Sequence, residues 1–209
     1  MYPLCPIRKV YDKVHIRLTG YRCRHRHLAY YWPCKWPNYK FTLISDSICK
    51  YVKYTKSLFI QAFPGATTER LTWMMRMNLV YFKNYRVVVL HVGTNNVNRD
   101  SVDLIIEKMK KLVVATQRIN PKAKIFISGI IPRYKDDEIH RLKVLDINKY
   151  LVEMCKDMNC RFLRTYRPFL CKGACRQELY AKDGLHLNYK GTQALKGFFE
   201  GHSKHFVNL

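Results

Sequence analysis

From residue 41 onward, the chain alternates between short, continuously apolar runs and longer segments whose apolar positions recur every three or four residues. A short apolar run predicts a buried strand, and helical spacing of apolar positions predicts an amphipathic helix. The predicted strands cover residues 41–45, 57–63, 86–92, 124–131 and 160–163. The predicted helices cover about 67–83, 101–119, 138–157 and 189–199, and a further helix is predicted directly after residue 47.

This alternation determines the expected architecture. Strands and helices that alternate along a chain are joined by right-handed crossovers, which produce a parallel sheet with helices on both faces. The pattern therefore predicts an α/β fold, a three-layer α/β/α sandwich around a five-stranded parallel sheet, with the flavodoxin-like strand order 2-1-3-4-5. The predicted domain covers residues 41–209, and residues 1–40 form an N-terminal extension.

Polar residues follow the strands that flank the expected crevice of such a sheet. In sheets of this order, ligands bind at the carboxyl ends of strands 1 and 3, where the strand order reverses. Ser47 follows predicted strand 1, Asn95 follows predicted strand 3, and Gly65 lies nearby after strand 2. A hydroxyl group, a side-chain amide and a backbone N–H are parts that an acyl-transfer site requires.

An acid–histidine pair lies close to the C-terminal end of the sequence. Asp183 precedes His186 by three residues, and this spacing places both side chains on one side of a turn. The carboxylate can then hold one imidazole nitrogen and leave the other free to accept a proton. A base of this kind requires a nucleophile, and Ser47 is the candidate.

Four short motifs occur in order along the chain. They are Ser45-Asp46-Ser47, the glycine of Pro64-Gly65-Ala66-Thr67, the run Gly93-Thr94-Asn95-Asn96, and Asp183 with His186. Together they resemble the blocks of the SGNH (GDSL-type) hydrolase family, with the resemblance covering about residues 41–200. The runs at 89–96 and 183–188 are also similar to the esterase-like domains in open reading frames of some non-LTR retrotransposons.

The resemblance implies a serine esterase that hydrolyses small acyl esters of the acetyl type through an acyl-enzyme, without a cofactor. Ser47 is then the nucleophile, His186 the base and Asp183 the acid that orients it. The backbone N–H groups of Ser47 and Gly65 and the Asn95 side chain form the implied oxyanion hole.

Two residues depart from the family pattern. Ser45 stands where the family has glycine, which adds a side chain at an expected tight turn, and Asn96 replaces an aspartate. Neither change removes a catalytic group, but both allow reduced or lost activity. The alternative is therefore a non-catalytic RNA- or DNA-binding protein on the same scaffold.

The charge of the chain indicates a polyanionic partner. Lysine and arginine number 38 against 15 aspartate and glutamate, a formal net charge of +23, which favours nucleic acid and less strongly an anionic membrane. The extension at 1–40 interleaves cations with aromatic rings, as single-stranded nucleic acid binding does, although a basic arm that packs its aromatics on the domain stays open. The predicted contacts are Arg22, Arg24, Arg26, Tyr30, Tyr31, Trp32, Lys35 and Trp36.

Several cysteines and histidines are candidate metal ligands. Cys23, His25, His27 and Cys34 lack the usual zinc spacing, and Cys155, Cys160, Cys171 and Cys175 are only loosely zinc-like. No metal site is predicted. His91 lies within the predicted central strand and is expected in the core, although an approach to the crevice stays open. The eight scattered cysteines, together with an N-terminus that lacks an apolar signal stretch, favour an intracellular setting, cytoplasmic or nuclear. No apolar run reaches the roughly 18–20 residues that span a bilayer.

Overall fold

A computed structural model describes residues 17–18, 41–52 and 58–207, without the side chains of 17–18 and 203–207. Its main sheet contains six strands. They are β1 (Arg17–Leu18), β2 (Phe41–Ser45), β3 (Leu58–Ala62), β4 (Val87–His91), β5 (Lys124–Ser128) and β6 (Arg161–Leu163). A separate hairpin pairs β7 (Leu170–Cys171) with β8 (Ala174–Cys175).

The strand order of the main sheet is β1-β3-β2-β4-β5-β6. Strands β2 to β6 are parallel, which confirms the predicted five-stranded sheet and its 2-1-3-4-5 order. The sequence pattern did not indicate β1, a two-residue strand that pairs antiparallel with the end of β3. This strand comes from the predicted N-terminal extension and lengthens the sheet at its β3 edge.

Helices cover both faces of the sheet, as expected for a three-layer sandwich. The helices are α1 (Thr68–Arg76), α2 (Val102–Ile119), α3 (Glu138–Asp157) and α4 (Tyr189–Val207). One core cluster joins α1, α2 and α3 to alternate residues of the central strands, such as Val88 and Leu90. The other joins α4 to the intervening residues, such as Val87 and Val89. Strands buried on both sides explain the continuous apolar run of β4.

Two helix boundaries differ from the prediction. Helix α1 ends at Arg76 rather than near Lys83, because Asn78 adopts a left-handed conformation with φ of 55°. The N–H groups of Asn78 and Leu79 then bond the carbonyls of Met75 and Met74, which closes the helix as a Schellman motif. Helix α4 continues to Val207, beyond the predicted end at 199.

The helix predicted after Ser47 is a single 3-10 turn, Ser47–Cys49. Asp46 caps this turn by accepting the Ile48 N–H. So short a turn adds little helix dipole at Ser47, because the macrodipole is a sum over aligned peptide units. Any favourable field at this serine must come from individual N–H groups instead.

Candidate active site

The ends of β2, β3 and β4 meet at one edge of the sheet. Ser45 lies level with Ala62 of β3 and His91 of β4. The pairing continues one step further, with the Phe63 N–H bonding the Ser45 carbonyl at 2.8 Å and the Asp46 N–H bonding the His91 carbonyl at 3.2 Å. These bonds fix the backbone directly before Ser47, whose side chain is half-buried at the edge.

The loop before α4 organises the acid and the histidine. Asp183 Oδ1 accepts the backbone N–H groups of Leu185 and His186 at 3.0 and 2.9 Å. Asp183 Oδ2 lies 2.6 Å from His186 Nδ1. The hydrogen bond with His186 is the main reason that the pKa of Asp183 is lowered to about 2. The carboxylate is therefore ionised at neutral pH and holds the Nδ1–H tautomer of the imidazole.

The loop that carries His186 contacts the turn that carries Ser47, although these two residues are 139 positions apart in sequence. His186 Nε2 lies 3.2 Å from Ser47 Oγ. With Nδ1–H directed to Asp183, Nε2 is the acceptor and the Ser47 hydroxyl is the donor. The structure thus brings the predicted hydroxyl, imidazole and carboxylate into one hydrogen-bonded series at the crevice.

The predicted oxyanion donors lie on the turns that follow β3 and β4. Gly65 adopts φ of 73° and faces open space, and Asn95 donates one amide hydrogen to the Ala66 carbonyl at 2.9 Å. That bond joins the two turns and leaves the second amide hydrogen of Asn95 available. Among the described residues, the N–H groups of Ser47 and Gly65 have no hydrogen-bond acceptor. Unpaired N–H groups beside a nucleophile can stabilise a developing oxyanion.

The Asn95 turn depends on the glycine before it. Gly93 has φ of 123°, a region that residues with a Cβ rarely adopt. A Cβ at this position would also lie 2.8 Å from the Ile130 side chain. Glycine is therefore required for β4 to end in this turn.

Asn96 braces the same turn, although it departs from the family pattern. Its Oδ1 accepts the Thr68 N–H at 3.0 Å. Its Nδ2 donates to Glu69 at 2.9 Å and to Asp100 at 2.7 Å, and Lys108 bridges these two carboxylates. Asparagine thus supplies donors where an aspartate would face two negative charges, so the substitution preserves the support of the turn.

Ser45 does not lie in a tight turn, contrary to the expectation from the family glycine. It is the last residue of β2 and is fully buried in extended backbone. Its hydroxyl donates to the Asp46 carbonyl at 3.2 Å. A side chain at this position is accommodated because extended backbone tolerates any residue.

One site feature was not foreseen, namely a connecting segment formed by residues 132–135. Arg133 donates to the carbonyl of Thr94 at 2.7 Å, within the turn that carries Asn95. The Tyr134 N–H bonds the Gly184 carbonyl at 2.9 Å, and Lys135 Nζ bonds the Lys182 carbonyl at 2.7 Å. The segment 132–135 therefore connects the Asn95 turn to the loop that carries Asp183 and His186. A polar loop after a strand gave no sequence signal for this role.

His91 lies in the core, as predicted, and not at the crevice. Its Nδ1 lies 2.6 Å from Ser128 Oγ, which lies 2.5 Å from Thr165 Oγ1. All three side chains are buried. Burial lowers the pKa of His91 to about 4, so its ring is neutral at physiological pH.

Within 41–52 and 58–202, no group of three or more histidine, cysteine or acidic side chains is arranged to hold a metal ion. The loosely zinc-like Cys155, Cys160, Cys171 and Cys175 are free thiols that form no such cluster. The predicted nucleic acid contacts between Arg22 and Trp36, and the candidate zinc ligands from Cys23 to Cys34, lie outside the described residues. None of the described helices is both long enough and apolar enough to cross a bilayer.

Comparison with known proteins identifies the family of the chain. Residues 34–194 match the GDSL-like Lipase/Acylhydrolase family. The chain belongs to this family. The matched region contains all four motifs, including the crevice residues described above.

The chain is also similar to individual curated proteins and solved structures. The chain is 31% identical over 91 residues to the Drosophila melanogaster platelet-activating factor acetylhydrolase IB subunit beta homolog, covering 44% of this chain and 40% of that protein. The chain thus matches less than half the length of this curated relative. The psychrotrophic esterase EstA from Pseudoalteromonas shares the fold, with a TM-score of 0.63 and 14% identity over 81% of this chain and all of that one.

The esterase domain of the ORF1 protein from the zebrafish ZfL2-1 retrotransposon was also matched. It is 25% identical, with a TM-score of 0.45, over 79% of this chain and 99% of that chain. The likeness to retrotransposon esterase domains therefore stays a prediction from the sequence at 89–96 and 183–188.

Proposed function

We propose that this GDSL-like protein is a serine esterase that hydrolyses short-chain acyl esters through an acyl-enzyme. The observation that carries the proposal is the series Asp183–His186–Ser47, with contacts of 2.6 and 3.2 Å. In an apo site, hydrogen bonds of this length are compatible with a nucleophile and its general base.

The reaction follows from these positions. Ser47 Oγ attacks the ester carbonyl carbon while His186 Nε2 takes the hydroxyl proton, and Asp183 stabilises the resulting imidazolium. The carbonyl oxygen becomes an oxyanion that accepts hydrogen bonds from the Ser47 and Gly65 N–H groups and from Asn95. His186 then gives its proton to the leaving alcohol. Water, activated by the same histidine, attacks the acyl-enzyme and releases the acid.

A small acyl group is proposed for two reasons. The curated relatives carry the name acetylhydrolase, and the Asp183 and His186 side chains keep 50% and 25% of their surface exposed. A shallow site favours a short acyl chain, because little apolar surface is available to bury a long one.

The test is hydrolysis of chromogenic esters of increasing chain length by wild type and by Ser47→Ala. Wild type is expected to cleave the acetate ester fastest, with kcat/KM falling as the chain lengthens. Ser47→Ala is expected to lose this activity by at least about 10⁴-fold. If wild type and Ser47→Ala are equally active or equally inert on every ester, the proposal fails.

A second candidate function, contact with nucleic acid, has support on the described domain. Three lysines border the crevice, here called the mouth lysines: Lys50, Lys135 and Lys182. The Lys50 N–H bonds the Ser47 carbonyl, and Lys135 bonds the Lys182 carbonyl, directly before Asp183. None of the three has a carboxylate within ion-pair distance among the described residues. Two nearby acids are engaged elsewhere, Asp137 with His140 and Glu138 with Arg141.

Exposed rings accompany these cations. Tyr51 is 54% exposed and lies under Lys50, whose Nζ is 4.8 Å from the ring centroid, and Tyr134 is also exposed. Cations with accessible rings are the composition that single-stranded nucleic acid binding uses. We propose that the mouth lysines contact nucleic acid, in addition to the contacts predicted from the sequence for Arg22, Arg24 and Arg26.

Fluorescence anisotropy with a single-stranded oligonucleotide tests this contact. Replacing the three mouth lysines by alanine should weaken binding and reduce the slope of log K against log salt by about 2, since each phosphate contact contributes about 0.7. Arg22→Ala, Arg24→Ala and Arg26→Ala together should act similarly. Lys110→Ala with Lys122→Ala, at exposed sites away from the crevice, is the control. Binding that is absent, or unaffected by salt, would remove this function.

A further inference from the structure

The residue before the nucleophile has an unusual environment. Asp46 is fully buried, and its Oδ1 accepts the Ile48 N–H at 3.0 Å. The N–H and hydroxyl of Thr94 also favour the charged carboxylate, but burial opposes it more strongly. The Asp46 Oδ2 is buried without a hydrogen-bond partner among the described residues. Burying an ionised carboxylate with one oxygen unpaired is costly, because each of its oxygens accepts hydrogen bonds in water.

The charged and titratable groups around Asp46 only partly compensate a negative charge on its carboxylate. Arg133, on the connecting segment, donates to the Thr94 carbonyl and forms no ion pair with Asp46. Cys49, on the same 3-10 turn, is a buried thiol whose pKa is raised by burial. His91, whose carbonyl accepts the Asp46 N–H, has a neutral ring at physiological pH. His186 lies beyond Ser47 and is directed to Asp183.

The balance favours the protonated acid below about pH 7. Burial raises the pKa of Asp46 to about 7, and nearby Ile48, Thr94 and Arg133 only partly offset this. A buried carboxyl group is thus kept neutral mainly by desolvation, in the way that apolar surroundings act on other buried acids.

We propose that Asp46 is a positioning residue that acts as an uncharged carboxylic acid. Through Oδ1 it holds the turn that presents Ser47, and without a negative charge it leaves the oxyanion site undisturbed. This last role rests on the proposed esterase function. An ionised Asp46 directly before Ser47 would oppose the negative charge that develops on the substrate carbonyl, because charges interact strongly where water is excluded.

The proposal predicts a descending limb in the pH profile. Activity of wild type should fall above about pH 7, where Asp46 loses its proton. Asp46→Asn keeps the Oδ1 acceptor, the shape and the neutral state, so it should retain activity within about threefold at pH 6 and remain active at pH 9, where wild type has declined. Asp46→Ala lacks the acceptor and should be less active at both pH values.

A second readout is independent of catalysis. A folded pKa raised above the unfolded value means that the folded protein holds this proton more tightly, so the stability of wild type falls as pH rises from about 4 to about 7. Asp46→Asn cannot titrate there. The melting temperatures of wild type and Asp46→Asn should therefore diverge over this interval, with the variant becoming the more stable protein at pH 8.

The two readouts separate the possible failures. If no ester is cleaved by wild type but the melting temperatures diverge as stated, the proposed esterase function fails while a neutral Asp46 stands. If Asp46→Asn does not fold, carboxyl ¹³C NMR of wild type locates the titration of Asp46 directly. An Asp46 carboxylate that is ionised at pH 5, or an Asp46→Asn variant that folds yet loses activity at every pH, overturns the proposal.

Discussion

Two serine–histidine pairs in the described part of the chain differ in what surrounds them. Ser128 and His91 are closer together, at 2.6 Å, than Ser47 and His186, at 3.2 Å. The Ser128 pair is buried in the sheet, with Thr165 behind the serine, and among the described residues no carboxylate is hydrogen-bonded to the His91 ring. The Ser47 pair opens to the crevice, with Asp183 behind the histidine. Proximity alone therefore does not distinguish a candidate nucleophile from a structural hydroxyl.

Three physical differences separate the pairs. His186 is held by a carboxylate that is ionised above about pH 2, whereas burial keeps His91 neutral above about pH 4 and unsuited to accept a proton. Ser47 lies at the end of a central strand beside unpaired N–H groups, whereas the Ser128 hydroxyl is shared between two neighbours. Finally, a substrate can reach only the exposed pair. The following changes test each difference.

Loss of the orienting acid should have the largest effect. Asp183→Asn cannot stabilise the imidazolium or hold the same tautomer of His186, and the expected decrease in kcat is about 10⁴-fold. Steady-state hydrolysis of an acetate ester measures this, with circular dichroism as the folding control. A decrease below tenfold would show that His186 does not depend on Asp183.

Loss of the side-chain oxyanion donor should have the next largest effect. Asn95→Ala removes an amide that supports the carbonyl oxygen only as it becomes charged, so kcat should fall by about 10²–10³ with little change in KM. The comparison requires kcat and KM measured separately. An increase confined to KM would assign Asn95 to substrate binding in the ground state.

The third change concerns the turn that carries Asn95. Asn96→Asp replaces a donor to Glu69 and Asp100 by an acceptor that faces both carboxylates. The expected loss of stability is about 1–3 kcal/mol, because hydrogen bonds are lost and like charges meet. Chemical denaturation at pH 7 measures it. Asn96→Ala separates the two causes, since it loses the hydrogen bonds without adding charge.

A substitution in the buried pair should have the smallest effect. Ser128→Ala removes the hydroxyl between His91 and Thr165, leaving the histidine without its buried partner, and should cost about 1–2 kcal/mol of stability. Esterase activity should stay within about threefold of wild type at temperatures where the variant is folded. Loss of activity without loss of stability would contradict a structural role for this pair.

The same contrast explains what could be predicted from the sequence. The β2 to β6 order and the crevice position of Ser47 and Asn95 followed from apolar runs and strand ends, because parallel sheets place their carboxyl ends together. The Asp183–His186 pair was visible because its spacing is local. The Arg133 contact with Thr94 and the burial of Asp46 depend on packing between distant segments, which no local pattern encodes.

Helix α1 and strand β1 differ from the prediction for local reasons. Asn78 ends α1 in a left-handed conformation, a role that glycine usually signals, so the apolar residues after it suggested a longer helix. The two-residue strand β1 is too short to produce a periodic pattern. The apolar pattern therefore could locate neither the end of α1 nor the strand β1.

Labelling with a fluorophosphonate probe tests the central claim most directly, because the probe reacts with a serine only where a base and oxyanion donors activate it. Wild type, Ser47→Ala and Ser128→Ala would be treated in parallel and the modified peptide identified by mass spectrometry. We expect one label on Ser47 in wild type and in Ser128→Ala, and none in Ser47→Ala. Labelling that persists in Ser47→Ala, or that is absent from folded wild type, would contradict the assignment of Ser47 as the nucleophile.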